Sequence, residues 1–170
     1  MKILIVCRKK EGENWDAVKN MEKKLTQLRH DIEILAREED LNMNSLSSSM
    51  GSLSSAVEKL DAKNGYDMIY TQDWSIALPF LIPTKILFEK HYCLFHDIEP
   101  SAAKSRILQK IVGNMMAEKL LVRTKELKEK FPKAILSPDG VSLEMIKWRE
   151  VSLILNIPNI NLYNLNTDSI

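Results

Sequence analysis

Two cysteines, no long apolar run and almost no net charge set the first limits on this chain of 170 residues. Cys7 and Cys93 both lie inside apolar segments, so they read as small core residues of a cytoplasmic protein and not as a disulfide frame. With 45% hydrophobic side chains the chain can bury a core without such staples, and its length allows one domain. A formal net charge of +1 argues against bulk nucleic-acid binding. The apolar run behind Met1-Lys2 ends before Arg8, too short for a signal peptide, and no cleavage pattern follows. The longest nearly charge-free stretch, Val151–Ile170, is broken by Pro158 and by asparagines at 156, 159, 161, 164 and 166, which excludes an ordinary transmembrane helix there. No internal repeat is visible.

What is present is an alternation of strand and helix signals. Lys2–Cys7 has the continuous apolar character of a buried parallel strand. Glu13–Arg29 puts Trp15, Val18, Met21, Leu25 and Leu28 on one stripe of an amphipathic helix, with Asn14 as its expected N-cap. Asp31–Ala36 reads as the second strand, and the acidic, then serine-rich Arg37–Ser55 as a mobile surface loop. Ser55-x-x-Glu58 fits a capping box for a helix that Asn64-Gly65 ends. Asp67–Thr71 is the third strand, with Asp73 able to cap a short helix over Trp74–Leu81 that Pro79 and Pro83 limit. Tyr92–Phe95 is the fourth. A helix over Lys104–Met116 carries Ile107, Leu108, Ile111, Val112, Met115 and Met116 on one face. Lys119–Val122, a helix over Thr124–Phe131 stopped by Pro132, and the strand Ala134–Leu136 complete the series. Ser-Pro-Asp-Gly-Val then forms a tight turn, with Asp139-Gly140 offering the positive φ it requires, before the helix-prone Ser142–Ile146. Such alternation implies an α/β fold, with a mainly parallel sheet covered by helices on both faces.

Ligands on open parallel sheets bind beyond the carboxyl ends of the strands. Those exits read Cys7-Arg8-Lys9, Ala36-Arg37, Gln72-Asp73-Trp74, His96-Asp97, Arg123-Thr124 and Ser137-Pro138-Asp139. Polar and titratable residues therefore gather on one edge. Each also has a plainer role. His96 can simply end a strand, Asp73 can cap a helix, and Asp139-Gly140 is first a turn. His30 and His91 precede strands on the opposite edge and read as structural or solvated. Gly12 lies in the loop Glu11–Asn14 (EGEN) behind the first strand, where a backbone amide can approach a ligand.

Several of these segments, in order, resemble the N-terminal half of GT-B-fold, family 4-type glycosyltransferases. RHDIEIL (Arg29–Leu35) resembles "GHEVTVL", with Arg29 at the glycine, and YDMIYTQDW (Tyr66–Trp74) resembles "DVVHAHDW", with Tyr70 and Gln72 at its histidines. YCLFH (Tyr92–His96) is similar to "VVTVH", and AEKLLVRTKELKEKF (Ala117–Phe131) to "ADKIIAVSEALKEAL". SPDGVS (Ser137–Ser142) is similar to "IPNGVD", with Asp139 for Asn and Ser142 for Asp. The resemblance covers roughly residues 2–146.

It implies a three-layer α/β/α Rossmann-like domain over 1–150, the acceptor-side half of an enzyme that moves a sugar from a nucleotide sugar to a hydroxyl acceptor without a metal or resident cofactor. It also implies His96 as the catalytic-site histidine, near the reacting sugars, with Gly12, Gln72, Asp73, Asp97, Asp139 and Gly140 lining the substrate cleft. Such enzymes bind the donor mainly on a second half with an E-x7-E type motif. Val151–Ile170 has neither a glycine for a donor loop nor a glutamate pair, so the donor-binding domain is expected on another chain. The uncharged run Val151–Thr167 predicts a tail that packs on the domain or pairs two copies. Residues 103–133 hold nine Lys/Arg against three Glu, which together with an apolar helix face suits peripheral contact with the inner membrane face. The alternatives are a non-catalytic binding or assembly module that keeps the half-fold, or half of another GT-B enzyme such as a sugar-nucleotide epimerase.

Overall fold

A computed structural model describes residues 1–81, 90–96 and 102–138. Among these residues six parallel strands form one sheet: β1 (Lys2–Cys7), β2 (Asp31–Ala36), β3 (Met68–Gln72), β4 (His91–Phe95), β5 (Leu120–Val122) and β6 (Ile135–Leu136). Their order is β2-β1-β3-β4-β5-β6. The helices are α1 (Glu13–Gln27), α2 (Arg37–Leu41), α3 (Leu46–Ser49), α4 (Ser52–Asn64), α5 (Trp74–Ala77, continued by a 3-10 turn to Phe80), α6 (Ala103–Met116) and α7 (Lys125–Lys130). The α/β architecture expected from the alternation is therefore present, in the Rossmann-like three-layer form.

Strand side chains alternate between faces, and the alternation divides the core. Ile3, Ile5, Cys7, Tyr70, Leu94 and Leu121 face α1, whose Val18, Met21 and Leu25 complete that layer. On the other face Leu4, Val6 and Ile69 meet Leu53 and Val57 of α4 and Ile76 of α5. Farther along that face Cys93, Phe95 and Val122 meet Val112 and Met116 of α6 and Leu127 of α7. Burying both faces requires near-continuous apolar strands, as β1 (KILIVC) provides.

The amino edge of the sheet is fastened by polar contacts with structural roles. The Lys2 backbone N–H donates to Asp67 Oδ2 at 2.7 Å. Tyr66 donates its hydroxyl to Glu33 and accepts from Asn64 Nδ2. His91, expected to precede β4, is instead its first residue and fully buried, with Nε2 2.7 Å from Thr71 Oγ1 and its ring against Phe80.

Several local expectations are corrected. Arg37–Ser55 is not simply a loop: α2, α3 and the first turn of α4 occupy it. The capping box lies at Ser45 and Ser48, where hydroxyls and backbone amides satisfy each other, whereas α4 starts behind Gly51 and not at Ser55. Gly12, not Asn14, caps α1. The apolar residues of α6 do not form one core face. Val112 and Met116 are buried with Gln109, but Ile107, Ile111 and Met115 are 61%, 44% and 47% exposed. The sheet takes only one narrow stripe of α6, leaving the next apolar column outside. Gly65 ends α4 in the left-handed region, as expected, and Thr124 caps α7 by accepting from Leu127 N–H.

Candidate functional site

In the order β2-β1-β3, the connection from β1 leaves to one side and the following strand is laid down on the other. The carboxyl ends of β1 and β3 thus part at a topological switch point, where such sheets hold ligands. A cavity of about 330 Å³ opens there, lined by Arg8, Lys9, Glu11, Gly12, Asn14, Gln72 and Asp73. Two of its rim residues share an unusual backbone. Gly12 has φ 76° and ψ −178°, and Asp73 has φ 78° and ψ 154°. Both lie in a region that is almost glycine-only, and both are the N-cap of the helix that follows a strand. Asp73 does cap α5, accepting from Trp74 N–H at 2.6 Å, and its own N–H donates to Leu94 O at 2.8 Å.

The basic turn behind β1 is met by acids from α2. Arg8 Nε donates to Glu38 Oε1 at 2.7 Å and Lys10 Nζ to Asp40 Oδ1 at 2.6 Å. These partners hold the carboxyls of Glu38 and Asp40 below their ordinary values, despite opposing desolvation. With Glu11 and Asp73 also on its wall, the cavity is balanced in charge and not a phosphate cradle.

Strand alternation places a second set of groups. Tyr70 and Leu94 face α1, so Gln72, His96 and Arg123 emerge at the carboxyl edge on that same side. Gln72 is 5% exposed. Its amide nitrogen lies 2.7 Å from the Asn14 carbonyl and 2.9 Å from His96 Nε2. Arg123 Nη1 lies 3.1 Å from His96 Nδ1, and its Nε donates to the Pro138 carbonyl at 3.2 Å. A larger cavity of about 510 Å³ begins at His96, Arg123 and Pro138 and runs beside α1 over Tyr70 and Leu94 as far as Gln27. Gln72 lines both cavities and joins them.

Of the residues singled out in the sequence, Gly12, Gln72, Asp73 and His96 are thus brought to one edge. Asp97, Asp139, Gly140 and the segment 151–170 lie outside the described residues. Arg123, singled out only as a strand exit and given no role, lines the larger cavity, together with Lys23 and Lys24, which were not expected there. The signal for Arg123 is the period of two: it stands two residues beyond buried Leu121, as His96 stands two beyond Leu94. Among the described residues no group of three or more His, Cys, Asp or Glu is placed to hold a metal ion. Nor is any described helix long and apolar enough to cross a membrane. No known family model and no curated protein matches the chain.

Proposed function

We propose that this chain is the acceptor-side domain of a GT-B-type glycosyltransferase, working with a donor-binding half. The observation that carries the reading is the link from Asn14 through Gln72 to His96, which ties the cavity at the β1/β3 switch point to the histidine at the end of β4. In the reaction an acceptor hydroxyl oxygen bonds to the anomeric carbon of a nucleotide sugar. The bond from that carbon to the diphosphate breaks, the diphosphate leaves with the electron pair, and the hydroxyl proton passes to a base or to solvent. His96 holds the acceptor or the transferring sugar by a ring nitrogen, and Gly12 and Asp73 shape the wall against it.

A second reading, an assembly module that keeps the fold without the chemistry, is favoured by one feature. The three cations of the turn before Gly12 are all paired with carboxylates, Arg8 with Glu38, Lys9 with Glu11 and Lys10 with Asp40. Calorimetry of the chain with nucleotide sugars and assay of nucleoside diphosphate release separate the two. Release on adding a donor-binding half, lost in His96→Ala, supports the transferase. Absence of both binding and release, with every candidate half supplied, supports the module.

A bilayer is the proposed setting. The exposed Ile107, Ile111 and Met115 are spaced four residues apart along α6, and Lys104, Arg106 and Lys110 are exposed beside them. Apolar side chains flanked by cations suit an anionic lipid surface.

A further inference from the structure

We propose that the groove beside α1 binds a phosphorylated ligand; resting on the transferase reading above, that ligand is an acceptor whose phosphate enters the groove. The first observation is the sign of its walls. Lys23, Lys24 and Arg123 line the cavity with His96, and no described lining residue is acidic. The cavity at the β1/β3 switch point shares Gln72 but carries Glu11 and Asp73, so the contrast is specific to the groove.

The second observation is a surplus of donors at the mouth. Gln72 Nε2 and Arg123 Nη1 each lie within hydrogen-bond distance of a different ring nitrogen of His96. A neutral imidazole accepts at only one nitrogen, and a guanidinium cannot accept at all. The Gln72 amide nitrogen is a donor as well, so in either tautomer one of the two N–H donors faces a ring nitrogen that already carries a proton. That amide is held in place by the Asn14 carbonyl at 2.7 Å. Two N–H groups converge, and an acceptor oxygen beside them relieves the conflict. Phosphate offers several such oxygens, pairs with the fork of Arg123 and neutralises the lysines along α1. The floor of Val18, Met21, Tyr70 and Leu94 leaves room for the less polar body of the ligand.

The test titrates the full chain with inorganic phosphate, glucose 6-phosphate and glucose by calorimetry. A charge-assisted contact predicts that glucose 6-phosphate binds at least roughly tenfold more tightly than glucose. Arg123→Gln, on an exposed side chain, and the double change Lys23→Gln/Lys24→Gln each weaken the phosphate probes by about tenfold. Lys63→Gln on α4 does not. Circular dichroism confirms that each variant is folded. Equal binding of glucose and glucose 6-phosphate, no binding of either phosphate probe, or an unchanged affinity in Arg123→Gln overturns the proposal. Phosphate-selective binding in a chain that transfers no sugar with any donor half overturns the transferase reading and leaves the groove standing. Transfer to unphosphorylated acceptors as fast as to phosphorylated ones does the reverse.

Discussion

Asp73 holds a backbone conformation that costs a non-glycine residue about 1–3 kcal/mol, at the rim of a cavity. Such strain persists only where the surroundings enforce it, here by the bond from its N–H to Leu94 O and by the first turn of α5. Asp73→Gly should therefore raise the unfolding free energy by about 1 kcal/mol, because glycine loses little as an N-cap while the strain disappears. Urea denaturation checks this, and a loss of stability would show that the carboxylate matters more than the backbone. Gly12→Ala should do the opposite by about 1–3 kcal/mol, through φ alone, since nothing lies within 4 Å of the added Cβ. His91 gives a pH signature. Burial, with Lys119 nearby, lowers its pKa from 6.5 to about 3, so the folded protein keeps it neutral while the unfolded chain protonates near 6.5. Well above pH 6.5 neither state is charged and this residue adds no slope. As pH falls through 6.5 the unfolded state binds the extra proton, and the loss of stability should steepen toward about 1.4 kcal/mol per unit near pH 5. His91→Gln should be less stable at pH 7 and lack that share of the slope.

At the scale of elements, α6 has an interior side that is tightly filled and an exterior side that is not. A Cβ on Gly113 would come within 2.3 Å of the Phe131 ring, which packs edge-on against Phe95. Gly113→Ala should therefore destabilise by about 1–3 kcal/mol, seen as a lower Tm. On the other side, Ile107→Ser with Ile111→Ser should leave Tm nearly unchanged and, on the membrane proposal, abolish flotation with anionic vesicles. Retained flotation would remove α6 from that role. These elements also show what the sequence made legible. The strands β1 to β5 could be read within a residue or two because burial on both faces demands unbroken apolar runs. Helix caps were read less well, since α1 and α4 are capped by glycines whose positive φ leaves no side-chain signature. The serine-rich stretch looked like loop because its short helices are held by hydroxyl caps and ion pairs, not by apolar periodicity. Ile107 and Ile111 match a helical period as well as Val112 does, and only the width of the sheet decides which column is covered. The edge carrying the site was legible from strand exits. Arg123 needed the face as well as the edge.

At the scale of the whole molecule, the cavities and the polar ties occupy opposite ends of one sheet. The amino edge carries the ties among Lys2, Asp67, Tyr66, Glu33 and Asn64, and the carboxyl edge carries both cavities. The two thiols lie between, fully buried, with Cys7 pushed up to about 12 and Cys93 raised as well, chiefly by burial. Neither should react with a thiol reagent at pH 8 in the native state. Labelling should follow global opening, its rate rising with urea in step with unfolding. Rapid labelling of Cys93 alone would instead report a local opening between β4 and α6.

The strand order has a further consequence, for the chain as it is being made. Among the described strands β1 is synthesised first, and it acquires β2 on one side and β3 on the other once Gln72 has appeared. Each later described strand then joins a single growing border, β4 on β3, β5 on β4 and β6 on β5, in the order of synthesis. No described strand has to be inserted between two already paired. A nascent chain can thus settle its middle first and extend outward without undoing earlier pairings, with only the border awaiting the next strand exposed at each stage.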